Sequence, residues 1–210
     1  MTRVRVKICG ITRAEDARLA ADLGADAIGF VFWPRSPRAV AAEEAGRIAA
    51  ELPPLVTRVG VFVNAAPEAV QRTVRDVGLD VVQLHGDESA AAYAAVGARL
   101  VKAVRLAGAA DLDVAALVPP NVTVMVDAID RDWRGGTGER ANWTLASELA
   151  CRRPIWLAGG LTAGNVGEAI RRVRPSAVDV SSGVESAPGV KDRDRLVAFL
   201  GAVARAQAEE

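Results

Sequence analysis

The chain has 210 residues, half of them hydrophobic, so it can bury one substantial core and is predicted to form a single domain over residues 1–210. Acidic and basic residues are equal in number, 26 of each, and the formal net charge is zero. This balance argues against binding to nucleic acid or to an anionic membrane surface, because both need a broad positive field. A small molecule is the expected ligand.

The sequence has no segment that predicts membrane insertion or export. No stretch reaches the roughly 18 apolar residues of a spanning helix, and the charged start of the chain leads into an apolar run rather than a signal-peptide core. A cytoplasmic location is therefore predicted. Cys9 and Cys151 lack the spacing of a disulfide framework or a zinc site, so both are predicted to be free thiols and no metal site is expected.

Short apolar runs rich in β-branched residues alternate with alanine- and arginine-rich segments of helical periodicity. The runs predict strands over residues 4–8, 27–32, 57–63, 80–84, 100–105, 122–126, 154–157 and 177–180. The clearest helices between them are predicted over residues 14–23, 39–52, 67–77 and 164–173. Pro67 suits the first turn of its helix, and Asp192 is predicted to cap the last one.

The strands are almost continuously hydrophobic, which indicates burial on both faces in a parallel sheet covered by helices. Eight such βα units predict an α/β fold, a single-domain (β/α)8 TIM barrel. A doubly wound open sheet is the competing architecture. It is disfavoured because no Gly-x-Gly-x-x-Gly turn follows the first strand, and because polar groups follow many strands rather than one switch point.

Cys9 lies at the carboxyl end of the first strand, where a barrel presents its catalytic groups. A lone cysteine beside an apolar strand is more often a small buried hydrophobic residue, and that alternative stays open here. The two-residue repeat of a strand puts Lys7 on the same side as Cys9, so the ammonium group is predicted to favour the thiolate. Lys7 could instead pair with Asp179 on the eighth strand, which closes the barrel against the first.

Two further polar side chains end apolar runs. Asp127 follows the sixth run, where a carboxylate either takes part in chemistry or accepts hydrogen bonds from the next loop. His85 follows the fourth run and either lines the barrel mouth or has a structural role. Residues 128–141 form a long connection that contains Gly135-Gly136-Thr137-Gly138, so this segment is expected either to fold over a ligand or to be a disordered surface loop.

Two glycine-containing turns follow the last two strands: Gly159-Gly160 after the seventh, and Ser181-Ser182-Gly183 after the eighth. Glycine lets backbone N–H groups approach an anion, and the loops after strands seven and eight are the usual phosphate site of a barrel. The two turns together predict a phosphorylated ligand. Arg38 could hold a carboxylate by a bidentate contact, although most arginines in such a chain are solvated surface residues.

Two other functions fit parts of this pattern. The chain has only three lysines, and a Schiff-base aldolase could act through Lys102 on the fifth strand or through Lys7. A non-catalytic protein that binds a sugar phosphate would explain the glycine turns but would give Cys9 and Asp127 no role.

Several motifs occur in order along nearly the whole chain: KICGIT at 7–12, SPR at 36–38, GVFVN at 60–64, QLHGDE at 83–88, GGTG at 135–138, AGGL at 158–161 and DVSSGVE at 179–185. With these motifs the chain resembles the phosphoribosylanthranilate isomerase family, barrel enzymes of tryptophan biosynthesis. One departure is Ala141-Asn142-Trp143, where the family more often has Phe-Asp-Trp.

The resemblance implies an Amadori rearrangement of N-(5-phosphoribosyl)anthranilate, without metal or organic cofactor. It implies that Cys9 is the general base and Asp127 the general acid. It also implies that Arg38 contacts the anthranilate carboxylate and that the last two glycine turns hold the phosphate. His85 and Asp179 are further predicted substrate contacts. A monomer or a homodimer is expected.

Overall fold

The computed structural model describes residues 3–127 and 142–209. In this part of the chain, eight parallel strands form a closed barrel in sequence order, and the eighth pairs with the first. The strands are β1 Arg5–Cys9, β2 Ala27–Val31, β3 Thr57–Phe62, β4 Val81–Leu84, β5 Arg99–Arg105, β6 Thr123–Asp127, β7 Ile155–Leu157 and β8 Ala177–Val180. The predicted TIM barrel is confirmed, and closure of the sheet rules out the doubly wound alternative.

Helices cover the outside of the barrel. They are α1 Ala14–Asp22, α2 Ala42–Ala50, α3 Pro67–Val77, α4 Ala110–Ala116, α5 Trp143–Arg152, α6 Val166–Val173 and α7 Arg193–Ala208. A short 3₁₀ helix, Ala90–Tyr93, lies between β4 and β5, and another, Ser182–Val184, follows β8. Within residues 3–127 and 142–209, no helix has both the length and the hydropathy to span a bilayer.

The strands bury apolar residues on both faces, as their composition predicts. The larger apolar cluster lies between the strands and the helices and includes Ile8, Ile28 and Val82. Side chains alternate along each strand, so the neighbours of these residues face the interior of the barrel. There they form a second cluster of Ala27, Val59, Val81, Val101, Met125 and Ala158. Each fully buried large aliphatic side chain contributes about 1.5–3 kcal/mol of transfer free energy.

Local signals place several helix boundaries. Pro67 is in the first turn of α3, and the Asp192 side chain accepts a 2.9 Å hydrogen bond from the Arg195 N–H at the start of α7, as predicted. Helix α2 is shorter than the predicted 39–52, because Ala39 forms an isolated bridge with Val31 and extends the loop. Strand β6 begins and ends one residue later than the predicted 122–126, so Asp127 is its last residue.

A small antiparallel hairpin separates β8 from α7. Its strands are β9 Glu185–Ala187 and β10 Val190–Lys191, and Gly189 turns the chain with φ of 79°. The hairpin was not predicted, because strands of two and three residues are too short to show an alternating pattern.

Candidate active site

The carboxyl ends of the strands bring the predicted site residues to one rim of the barrel. Cys9 ends β1 and Asp127 ends β6, while His85 directly follows β4. The glycine-containing turns follow β7 and β8 at the same rim. Polar groups that are far apart in sequence therefore surround one opening.

The Cys9 thiol faces the interior of the barrel beside Gly29 of β2. A Cβ atom at Gly29 would lie 2.9 Å from Cys9 Sγ and 2.9 Å from Lys7 Cε, so any larger residue there would displace both side chains. Cys9 and Lys7 thus share one face of β1, as the strand repeat predicts. Cys9 is only 8% exposed.

Lys7 and Asp179 form the buried ion pair that the spacing allowed. Lys7 Nζ lies 2.8 Å from Asp179 Oδ1, and the two side chains are 1% and 10% exposed. Burial lowers the pKa of Lys7, but the charges of Asp179 and Cys9 outweigh it and hold the pKa well above its ordinary value. Lys7 is therefore an ammonium ion at neutral pH. The predicted contact of Asp179 with substrate stays a prediction.

The environment of Cys9 corrects one expectation. Burial raises the pKa of the Cys9 thiol, the Lys7 charge lowers it by less, and Asp179 raises it again, so the net pKa is above the ordinary value. Lys7 acts with the predicted sign but does not offset desolvation of a thiolate. In the protein without ligand, Cys9 is a neutral thiol at pH 7.

His85 contacts Asp127, the predicted general acid. His85 Nε2 lies 3.1 Å from Asp127 Oδ2, and both side chains are about one-quarter exposed. Gln83, almost completely buried, places its Nε2 2.9 Å from His85 Nδ1. An amide N–H that donates to Nδ1 leaves the imidazole proton on Nε2, where it faces the Asp127 carboxylate. Sequence reasoning missed Gln83, although QLHGDE contains it two residues before His85.

Arg38 is buried rather than solvated, so the surface alternative is wrong for this arginine. Its Nε and Nη2 atoms donate to Glu185 at 2.9 and 2.7 Å, and Glu185 also accepts a 2.7 Å bond from Lys191 Nζ. A Cβ at Gly10 would lie 2.6 Å from Arg38 Cδ, so the arginine stem crosses directly over the residue after Cys9. Sequence reasoning missed Glu185 and Lys191, although Glu185 ends the DVSSGVE motif.

The two glycine-containing turns are in contact with each other. A Cβ at Gly183 would lie 2.0 Å from the Leu161 carbonyl oxygen, so only glycine lets the loop after β8 approach the loop after β7. Gly159 and Gly160 have φ of 87° and 61°, in the region that favours glycine. Asn165, which the sequence did not single out, donates to the Gly160 carbonyl at 2.8 Å.

A cleft of about 480 Å³ borders these turns and is lined in part by Gly160, Ser182 and Gly183. A larger cavity of about 810 Å³ lies at the opposite, amino-terminal end of β3 to β6. None of the predicted catalytic or substrate-binding residues lines that larger cavity. The smaller cleft is therefore the one that the predicted phosphate-binding turns line.

The structure disfavours the Schiff-base alternative. A lysine must lose its proton to attack a carbonyl, and the Asp179 pair keeps Lys7 charged. Lys102 Nζ donates to the Gly86 carbonyl and lies 3.3 Å from Glu88 Oε2, so this lysine is also engaged. Over residues 3–127 and 142–209, no group of three or more His, Cys, Asp or Glu side chains is placed to hold a metal ion.

A sequence profile described as N-(5'phosphoribosyl)anthranilate (PRA) isomerase matches residues 6–202. The chain belongs to the N-(5'-phosphoribosyl)anthranilate isomerase family. It is similar to the N-(5'-phosphoribosyl)anthranilate isomerase of Pseudomonas putida (strain W619), with 50% identity over 208 residues, which are 98% of this chain and all of the relative.

Solved structures of phosphoribosyl anthranilate isomerases share this barrel. The enzyme from Thermotoga maritima superimposes with a TM-score of 0.89 at 42% identity, covering 96% of this chain and 99% of the other. A second isomerase structure, in complex with reduced 1-(o-carboxyphenylamino)-1-deoxyribulose 5-phosphate, has a TM-score of 0.86 at 42% identity, with the same coverage of both chains.

The departure from the isomerase pattern around residue 142 has a local explanation. Asn142 precedes α5, and its Oδ1 accepts a 3.2 Å hydrogen bond from the Leu145 N–H. Asparagine and aspartate cap helices about equally well, so the substitution preserves the start of α5. The predicted ligand-covering segment 128–141, with its GGTG motif, lies outside the described residues.

Proposed function

We propose that this chain converts N-(5'-phosphoribosyl)anthranilate to 1-(2-carboxyphenylamino)-1-deoxy-D-ribulose 5-phosphate, an Amadori rearrangement in tryptophan biosynthesis. The observation that carries the proposal is the placement of a thiol and a carboxylate, Cys9 and Asp127, at the same rim of one closed barrel. General acid–base catalysis of this rearrangement needs one group of each kind. The predicted cytoplasmic location and the monomer or homodimer stay predictions.

The reaction begins at the ribose ring. Asp127 donates a proton to the ring oxygen, the bond from that oxygen to C1 breaks, and the nitrogen lone pair forms a Schiff base at C1. The Cys9 thiolate then removes the C2 proton, and the electrons move through C1 to nitrogen to give an enolamine. Tautomerisation of the enolamine yields the ketone. The cycle leaves Asp127 as a carboxylate and Cys9 as a thiol.

The reacting protonation state differs from the resting one. With ordinary pKa values of about 8.5 for Cys and 3.9 for Asp, a thiolate with a neutral acid lies roughly 6 kcal/mol above the resting pair. The raised pKa of Cys9 makes this cost larger in the protein without ligand. Turnover of about 10 per second corresponds to a barrier of about 16 kcal/mol. Transfer of a proton from Cys9 to Asp127 can therefore precede the chemical steps within that barrier.

Each end of the substrate has a matching site. The glycine-containing turns after β7 and β8 present backbone beside a cleft, which suits the phosphate. The Arg38 guanidinium, next to the turn that follows Cys9, suits the anthranilate carboxylate. His85 Nε2 stabilises the Asp127 carboxylate that remains after proton donation.

The test is turnover of freshly generated N-(5'-phosphoribosyl)anthranilate by the purified protein, followed as loss of anthranilate fluorescence with a metal chelator present. We expect conversion by the wild type and loss of most turnover by Cys9→Ser, because a serine alkoxide is far harder to form than a thiolate. Cys151→Ser is the matched control, since Cys151 is exposed on α5.

The other outcomes separate the alternatives. Near-normal turnover by Cys9→Ser would remove Cys9 from the role of base. Saturable binding without product would favour the non-catalytic sugar-phosphate protein. A covalent adduct trapped by borohydride would favour the Schiff-base alternative.

A further inference from the structure

We propose that Gln83, buried on β4, is a positioning residue that keeps the acid proton of the reaction on Asp127 instead of His85. The inference rests on the proposed function, because it concerns the acid step of that rearrangement. It is carried by the placement of the Gln83 amide inside the barrel and by the row of contacts that runs from Gln83 through His85 to Asp127.

The contact between His85 and Asp127 creates a competition for one proton. Nε2 and Oδ2 are 3.1 Å apart, close enough for a proton to pass directly between them. An imidazole ordinarily takes up a proton more readily than a carboxylate does. If His85 became an imidazolium ion, Asp127 would be left as a carboxylate, without a proton to give to the ring oxygen.

The Gln83 amide opposes protonation of His85. Its Nε2 lies 2.9 Å from His85 Nδ1, and an amide N–H can bond to that nitrogen only while the nitrogen carries no proton. The imidazolium ion has N–H groups on both ring nitrogens. Forming it would bring two donors face to face at a side chain that is only 1% exposed, where water cannot separate them.

The surroundings of Gln83 favour this orientation of the amide. Its cross-strand neighbours are Val61 of β3 and Val101 of β5, which are both buried and apolar. Gln83 Oε1 is buried, and nothing in residues 3–127 and 142–209 donates a hydrogen bond to it. Turning the amide over would put its two N–H donors there, and orphaned buried donors are rarer in proteins than under-satisfied carbonyl oxygens. The fold therefore leaves the oxygen unpaired and presents an N–H to His85.

The charges around His85 show why such a donor is needed. Lys102 Nζ lies 3.3 Å from Glu88 Oε2 and also donates to the carbonyl of Gly86, the residue after His85. These two opposite charges largely offset each other, whereas the Asp127 carboxylate contacts the ring directly. That carboxylate by itself favours an imidazolium ion, so a donor at Nδ1 is required to keep the ring neutral.

The measurement is the position of the imidazole proton at neutral pH. His85 is the only histidine of the chain, so untagged protein with ¹⁵N-labelled histidine gives NMR signals from two ring nitrogens alone. Spectra are recorded without ligand and with reduced 1-(o-carboxyphenylamino)-1-deoxyribulose 5-phosphate. The variants are Gln83→Glu and Gln83→Met. Gln71→Glu is the matched control, because Gln71 donates to the Ala95 carbonyl from α3, outside the barrel.

We expect the wild type to carry one imidazole proton, on Nε2, both without and with the analogue. Gln83→Glu places a carboxylate at Nδ1 and should protonate both ring nitrogens. Its kcat should fall about 10- to 100-fold, the range for a hydrogen bond to a charged group, while KM changes little. Gln83→Met removes donor and acceptor together, so both tautomers should appear and kcat should fall about two- to tenfold, as for a neutral hydrogen bond. Gln71→Glu should change neither the proton position nor the kinetics.

An imidazolium ion in the wild type, or a proton on Nδ1, would overturn the inference. An unchanged tautomer or an unchanged kcat in Gln83→Glu would do the same, because a purely structural glutamine predicts lower stability without movement of the imidazole proton. If Gln83→Glu does not fold, the wild-type spectrum and the mixture of tautomers in Gln83→Met decide. Wild-type protein that shows the expected tautomer but does not convert N-(5'-phosphoribosyl)anthranilate would refute the proposed function separately.

Discussion

His85 Nε2 lies 3.1 Å from Asp127 Oδ2, so the only histidine of the chain contacts the carboxylate that ends β6. With Gln83 donating to Nδ1, the imidazole presents an N–H to the carboxylate. This arrangement favours a role in orienting the acid over the direct substrate contact that the sequence predicts.

We expect His85→Ala to lower kcat about 10- to 100-fold, corresponding to one lost charge-assisted hydrogen bond, while KM changes little. His85→Gln retains an amide donor and should recover part of the loss. Steady-state kinetics on N-(5'-phosphoribosyl)anthranilate measures both parameters. An increase in KM with unchanged kcat would instead identify His85 as a substrate contact.

The raised pKa of Cys9 predicts that its thiol ionises at an unusually high pH. Because burial disfavours the thiolate, the ultraviolet absorbance of the Cys9 thiolate should rise only at a pH above the ordinary pKa of a thiol. The difference between Cys151→Ser and the Cys9→Ser/Cys151→Ser double variant isolates this signal. Lys7→Met should move the midpoint further up, because Lys7 lowers the pKa of Cys9. A midpoint that falls in Lys7→Met would show that the ammonium does not act on the thiol.

The buried Lys7–Asp179 pair predicts that removing one partner destabilises the fold more than removing both. Lys7→Met leaves Asp179 buried without its partner and should lower the free energy of unfolding by about 3–5 kcal/mol, whereas Lys7→Met/Asp179→Asn should cost less. Urea unfolding measures these changes. Arg18→Met, which breaks an exposed pair with Glu51, should cost only about 0–1 kcal/mol. Equal costs for the buried and exposed pairs would contradict this account.

Gly183→Ala tests the contact between the two predicted phosphate-binding turns. The added Cβ meets the Leu161 carbonyl at 2.0 Å, so the loop after β8 must shift. We expect KM to rise about tenfold or more, since displacements near 1 Å produce effects of that size or larger. Inhibition by inorganic phosphate should weaken in parallel. Gly108→Ala, where a Cβ meets nothing within 4 Å, should leave both values unchanged.

The sequence was sufficient to predict the fold and the rim at which the site lies. Hydrophobic periodicity and β-branched runs are local properties, so they locate strands and helices without knowledge of long-range contacts. Parallel strands in turn force the residues at their carboxyl ends, such as Cys9 and Asp127, to one end of the barrel. The short hairpin Glu185–Lys191 escaped prediction because it has no periodic signal.

Only the tertiary structure decided which of these groups interact and with what charge. Arg38 and Glu185 are 147 positions apart, so no local pattern could establish their contact. The Lys7–Asp179 pair, 172 positions apart, was one of two alternatives for Lys7 that the sequence left open. The pKa of Cys9 depends on how completely the closed barrel removes water, and this desolvation outweighs the neighbouring ammonium that the sequence revealed. Burial is a property of the whole fold, which is why sequence alone predicted the sign of the Lys7 effect but not the net result.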